Sequence, residues 1–73
     1  MKHTSSYYYV ESLEEKSIKT IGHSADEETG EIYYKFLDRK KANNLLRDEK
    51  KLVPEFKYRV VKVTTTHNAE QWQ

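Results

Sequence analysis

Asp38 and Pro54 bracket the one stretch of this chain with helical spacing, and a single short helix limits what the rest can fold into. In "RKKANNLLRDEKKLV" the apolar residues Ala42, Leu45, Leu46 and Val53 recur at intervals of three, four and seven, with Leu52 beside them. That is the pattern of one helix face. Asp38 suits the N-cap, where its carboxylate accepts an orphan amide hydrogen bond of the first turn. Lys50 and Lys51 fall in the last turn, which favours cations, and Pro54 disfavours α geometry at Val53. Glu49 interrupts the apolar stripe and has to reach water or a cation at its edge. Asn43 and Asn44 are poor helix formers, so packing must hold the helix in place. A helix of this size is about 20 Å long. It can cover one face of a three- or four-stranded sheet but not both.

The remaining segments read as strands. Residues 6–13 are rich in Tyr and Val, and residues 31–37, "EIYYKFL", and 56–66, "FKYRVVKVTTT", combine β-branched and aromatic residues. Residues 17–23, "SIKTIGH", form a weaker strand, because Ile18 and Ile21 have opposite parity and Gly22 marks a bulge or an end. "SADEETG" is a polar turn in which Gly30 can supply a positive φ. The tail, residues 67–73, is expected to fray, with Trp72 folding back over a hydrophobic edge as the alternative. The expected fold is a single small α+β domain over residues 1–73. It has a mainly antiparallel three- to four-stranded sheet with one helix on one face, in the order β-β-β-α-β or β-β-α-β.

Strand parity then sorts side chains between a covered and an open face. Ile32, Tyr34 and Phe36 share one face, as do Phe56, Tyr58 and Val60, and Tyr8 and Val10; these are the expected core positions. The opposite positions are also apolar or aromatic, unlike the apolar-in, polar-out alternation of a half-buried sheet. An open face built from Tyr7, Tyr9, Tyr33, Arg59 and Val61 is therefore expected. Tyr and Arg join contact area to hydrogen-bonding tips and are favoured at interfaces. Three readings compete: solvent-tolerant tyrosines, a homodimer or protein-partner face, and a base-stacking face. Outside the helical stripe, Lys40, Asn44, Arg47 and Lys51 make a basic ridge, which is either a solvated face or a contact for phosphate or an acidic protein.

Charge is segregated along the chain. Residues 1–34 carry three basic residues against seven acidic ones, and residues 35–73 carry ten against five, for a net charge of +1. Such asymmetry either steers a charged partner or draws the two halves together. Mean hydropathy is low, at −1.02, but six Tyr, two Phe and one Trp argue for a folded chain. There are no cysteines, so disulfides, thiolate zinc sites and Cys nucleophiles are excluded. Small secreted domains usually need disulfides, and no apolar signal-peptide core follows Lys2. An intracellular, cytoplasmic location with no membrane span is expected.

Catalytic and cofactor motifs are not found. His3, His23 and His67 share no ligand spacing, and "SADEETG" lacks the alternating oxygen ligands and central glycine of a calcium loop. No nucleophile elbow or phosphate-cradling glycine loop is present. The chain is read as a non-enzyme without metal or cofactor. Aromatic strands beside a basic helix follow the logic of single-strand readers, but "YYYVESL" and "EIYYKFL" do not match ribonucleoprotein motifs. The isoelectric point of about 7.9 is also low for a nucleic-acid module.

At "EIYYKFLDRKKANNLLRDEKKLVPEFKYRVVKV", residues 31–63, the layout resembles a recurring type of short phage-encoded accessory protein: a strand, an Asp-capped helix with an A-x-x-L-L stripe, and a strand ending in alternating Val. The resemblance implies a protein that binds and inhibits a host enzyme of transcription, replication or defence, in the cytoplasm of an infected bacterium. It transfers no functional residue. The leading expectation is thus a non-enzymatic protein–protein interaction module that blocks a nucleic-acid-handling enzyme sterically. Its contacts would come from the tyrosine-bearing face and from the acidic segment Asp26, Glu27, Glu28 and Glu31, which would compete for a basic channel. The alternatives are a nucleic-acid-binding module using Lys40, Arg47, Lys51, Lys57, Arg59 and Lys62, and a homodimeric structural protein.

Overall fold

The computed structural model describes residues 5–73. It is a small α+β fold: β1 (Tyr7–Glu14), β2 (Ser17–Ile21), β3 (Ser24–Ala25), β4 (Ile32–Tyr33), α1 (Arg39–Leu52), β5 (Lys57–Val63) and β6 (His67–Ala69). The main sheet is antiparallel, with spatial order β2-β1-β5-β6, and β3 and β4 form a separate two-stranded hairpin.

The helix forms where its spacing predicts. Asp38 is extended, and its carboxylate accepts from the Lys40 amide at 2.9 Å. At the other end the Val53 N–H donates to the Glu49 carbonyl, just before Pro54. Ala42 and Leu46 are buried against Val10, Tyr58 and Val60, and Tyr8, Ile21, Phe36, Leu45 and Phe56 close around them. Tyr58 anchors the helix end as well, since its hydroxyl donates to the Val53 carbonyl at 2.8 Å. Burial raises the Tyr58 pKa above its ordinary value, helped by the carboxylates of Glu49, Glu14 and Glu55.

Register fixes the two faces. Val10 lies opposite Val60, while Tyr9 lies opposite Val61, Tyr7 opposite Val63 and Glu11 opposite Arg59. Directly opposed residues share a face, so Tyr8, Val10, Tyr58 and Val60 meet the helix, and Tyr7, Tyr9, Glu11, Arg59, Val61 and Val63 lie on the other side.

Residues 31–37 depart from the expected strand. Only Ile32 and Tyr33 pair, with Ala25 and Ser24. The chain then swings to the edge of β1, where Phe36 bridges Tyr8 through two backbone hydrogen bonds of 2.7 Å. The step between the two pairings breaks the alternation. Of the expected core residues on this segment only Phe36 packs on the core; Ile32 is 59 % exposed, and Tyr34 turns to the open face. Gly30 does adopt a positive φ of 74° in the hairpin turn. Glu15 takes φ 59° in the tight β1–β2 turn, a conformation that is uncommon for a residue other than glycine.

The tail does not fray. β6 pairs with β5 (Val61 opposite Ala69, Val63 opposite His67). The ladder continues from the Glu70 N–H to the Val60 carbonyl and through reciprocal bonds between Gln73 and Tyr58. The unpaired backbone edge of β5 supplies the reason, because an open strand edge is a template for any nearby extended segment. Two side chains fasten the tail: Glu70 pairs with Arg39 at the helix start, and Trp72 lies on Arg59.

Candidate functional site

The face away from the helix carries a connected aromatic surface. Tyr7 and Tyr9, two residues apart on β1, stack with centroids 6.4 Å apart. Tyr34 meets Tyr9 edge-on at 5.6 Å. Lys35 places its ammonium 4.8 Å from the Tyr7 ring centre and 5.8 Å from that of Tyr34, within range of cation–π attraction. His67 stands edge-on to Tyr9, with its Nδ1 3.5 Å from the Tyr9 hydroxyl. Burial raises the Tyr9 pKa above its ordinary value, and the Glu11 carboxylate adds to the shift. The phenol therefore stays neutral and keeps its hydrogen-bond donor.

Beside the tyrosines, Arg59 Nε donates to Glu11 Oε1 at 2.8 Å, and its guanidinium lies 4.0 Å from the Trp72 ring centre. Val61 is only 1 % exposed although it sits on the open face; its same-face neighbours across the ladders are Tyr9 and Ala69. The tail has thus taken over part of the open face.

Among the residues expected on this face, Tyr7, Tyr9, Arg59 and Val61 come together, but Val61 lies too deep to touch a partner. Tyr33 is elsewhere. It is in the β3–β4 hairpin, where its hydroxyl donates to Asp26 Oδ2 at 3.2 Å. The Asp26 carboxylate also accepts from the amides of Glu28 and Thr29, at 2.8 and 3.0 Å. Those contacts, with the Thr29 and Glu28 amides first and the Tyr33 hydroxyl after them, lower the Asp26 pKa. Asp26 is therefore spent on the turn, while Glu27, Glu28 and Glu31 project from it, exposed.

An open cleft of about 610 Å³ separates this hairpin from the Tyr34–Lys35 step, with His23, Glu31, Ile32 and Tyr33 in its lining. His23 Nε2 lies 3.1 Å from the Lys35 carbonyl, which can only accept, so Nε2 carries the proton. Nδ1 lies 3.1 Å from the Ser24 hydroxyl, for which it is the acceptor in the neutral tautomer. The ring also packs on Phe36 at 4.5 Å. Together these contacts tie the hairpin to the Tyr34–Lys35 step.

The basic residues do not form one surface. Lys40, Arg47 and Lys51 are exposed on the outer side of α1. Lys57 and Arg59 share the open face, and Lys62 sits on the helix side of β5, in register with Tyr8 and Asn68. A strand of nucleic acid stacked on the tyrosines could not also lie along the helix, because the sheet stands between them. Sequence reasoning missed Glu11, Tyr34, Lys35 and His67, and gave the fold-back of Trp72 only as the alternative to a frayed tail. The Glu11–Arg59 pair was findable as opposite charges at opposed strand positions. Tyr34 was not, because strict alternation assigns it to the core.

Among the described residues no cluster of three or more His, Asp or Glu side chains could hold a metal ion, and no helix is long and apolar enough to cross a membrane. His3 lies outside the described residues. Comparison with protein-family models, curated proteins and solved structures finds no match.

Proposed function

We propose that this protein is a non-enzymatic protein–protein interaction module that seats its partner on the open sheet face around Tyr7, Tyr9 and Tyr34. The observation that supports the reading is the half-buried tyrosine cluster on the face the helix leaves uncovered, with Lys35 across its rings. Tyrosines held by their neighbours lose little side-chain freedom on binding, and each offers apolar area together with a donor. Leu13 and Ile18, opposed on β1 and β2, extend the same face, and Ile18 is 52 % exposed.

The target class is a host nucleic-acid-handling enzyme, as the resemblance of residues 31–63 to phage accessory proteins implies. The mechanism is occlusion: the bound module covers a surface the enzyme needs. Glu27, Glu28 and Glu31 project from the hairpin and supply a charge that a basic channel would attract.

The test is capture of a bacterial partner by tagged protein, compared with the Tyr7→Ser/Tyr34→Ser variant. A stoichiometric partner that the wild type retains and the variant loses supports the reading. A partner held equally by both moves the interface off this face. Light scattering settles the homodimer alternative: a dimer that the same two substitutions dissociate assigns the face to a second copy of the chain.

A further inference from the structure

We propose that the outer ridge of α1 (Lys40, Arg47 and Lys51 around Asn44) is a second, independent binding surface, one that tracks the phosphate backbone of a nucleic acid. It goes beyond the protein-binding reading and uses the opposite side of the molecule from Tyr7, Tyr9 and Tyr34.

An ordinary solvated helix face interleaves both signs of charge, with acids and bases paired one turn apart. This helix does not. Arg39–Leu52 carries Arg39, Lys40, Lys41, Arg47, Lys50 and Lys51 against Asp48 and Glu49 only. Glu49 is half-buried on the sheet side, in the same stripe as Ala42 and Leu46, and does not neutralise the ridge. Asp48 flanks the ridge and approaches Arg47 Nε at 3.7 Å, with both side chains more than 60 % exposed. Arg39 is drawn to Glu70. Lys40, Arg47 and Lys51 are left pointing to solvent at spacings of seven and four, which places them on one line about 16 Å long.

The first turn sharpens the point. It holds no acidic residue, and Arg39, Lys40 and Lys41 occupy the positive end of the helix dipole, where cations are disfavoured. A helix selected for stability alone would place Glu or Asp there. A surface selected to hold phosphate gains from every one of these cations and from the adjacent amide donors of Asn43 and Asn44. Asp38 is spent on the Lys40 amide at the N-cap, and the acidic first half of the chain lies off the ridge: Glu11 is paired with Arg59, Glu14 with Lys19, and the rest is in the β3–β4 hairpin or the β1–β2 turn. The charge segregation along the sequence has become a segregation in space.

Fluorescence anisotropy with a labelled oligonucleotide of mixed sequence, as single strand and as duplex, tests this at about 25 mM salt and upward. Three neutralised phosphates predict a slope of log K on log salt of about −3 for the duplex and about −2 for the single strand. Lys40→Gln/Arg47→Gln/Lys51→Gln should weaken binding about tenfold or more at low salt and flatten the slope. Lys16→Gln/Lys19→Gln/Lys57→Gln, with the same net charge, should leave binding largely intact, and so should Tyr7→Ser/Tyr34→Ser. The inference is overturned by no binding of either oligonucleotide at the lowest salt, or by equal losses in the two charge-matched triple variants. Polyglutamate that binds as tightly as the oligonucleotide, charge for charge, also overturns it and assigns the ridge to an acidic protein. None of these outcomes depends on whether the tyrosine face binds a protein.

Discussion

Arg59 and Glu11 meet at 2.8 Å across the β1–β5 ladder, on the face the helix does not cover, with their side chains only 21 % and 14 % exposed. An ion pair that sheltered needs a cover, and the cover is the tail: the Trp72 ring lies on the Arg59 guanidinium, 4.0 Å from ring centre to Cζ. The C-terminal segment is thus part of the fold and also decides how much of the open face is free. Tyr7, Tyr9 and Tyr34 are left at one end, and the pair is sealed at the other.

Trp72→Ala should therefore destabilise the whole domain and not only the last residues. Loss of the cation–π contact and of the apolar area over the sheet predicts a cost of about 1–2 kcal/mol, read as a lower urea midpoint by circular dichroism. Trp72 is the only tryptophan, so its emission reports the same contact. Arg59→Ala should shift that emission to the red and increase quenching by acrylamide. Unchanged emission in Arg59→Ala would place Trp72 away from Arg59.

Tyr58 links stability to alkaline pH. Its folded pKa is raised above the ordinary 10.0 by burial and nearby carboxylates. The neutral phenol is therefore favoured by folding, a contribution fully present below about pH 10 and lost as pH rises through the folded value. Tyr9 is shifted the same way. Tyr58→Phe should cost about 1–2 kcal/mol near neutral pH, because the Val53 carbonyl loses its donor. It should also make the fall in stability above pH 10 shallower than in the wild type. An identical alkaline fall in both proteins would show that other groups cause it.

Asp26 sets the acid side of the hairpin. Its folded pKa lies below the ordinary 3.8 because the Thr29 and Glu28 amides and the Tyr33 hydroxyl hold the carboxylate. That contribution is present above pH 3.8 and lost as pH falls through the folded value. Since β3 and β4 form their own sheet, the effect should be local. Asp26→Ala should speed hydrogen exchange at the Glu28 and Thr29 amides while leaving the protection of β1 and β5 unchanged. Loss of protection throughout the main sheet would show that the hairpin and the main sheet unfold together.

What was legible in the sequence followed from local rules. Asp38, the Ala42–Leu46 stripe and Pro54 place the helix to within one residue, because capping and periodicity act within a few positions. The face assignments of β1 and β5 hold for the same reason: Tyr8 and Val10 meet the helix, and Tyr7 and Tyr9 do not. Errors came where pairing partners change. Tyr34 sits in the step between pairing with β3 and pairing with Tyr8, and parity carries no information across such a step. The tail gives almost no local signal, since "HNAEQWQ" is neither alternating nor β-branched. It is ordered by a free edge on β5, a property of the sheet and not of the tail. The tyrosine cluster was half visible for the same reason: two members share a strand, and the third arrives by tertiary placement.

The three consecutive tyrosines of β1 should separate folding from binding. Tyr8 packs on the buried cluster and is bridged to Phe36. Removing a half-buried aromatic from beside Val10 and Ala42 predicts that Tyr8→Ser loses about 2 kcal/mol. Tyr7 lies on the open face with its ring against Tyr9 and under Lys35. Tyr7→Ser forfeits one aromatic pair and one cation–π contact, predicting a loss of about 1 kcal/mol or less. Tyr9 is intermediate, because Val61 and Tyr34 depend on it for cover. Urea unfolding of the three single variants should rank the losses as Tyr8, then Tyr9, then Tyr7. Partner capture by the same proteins, at a temperature where all are folded, should rank them differently, with Tyr7→Ser and Tyr9→Ser impaired and Tyr8→Ser competent. A Tyr7→Ser protein less stable than Tyr8→Ser would invert the two faces of the sheet.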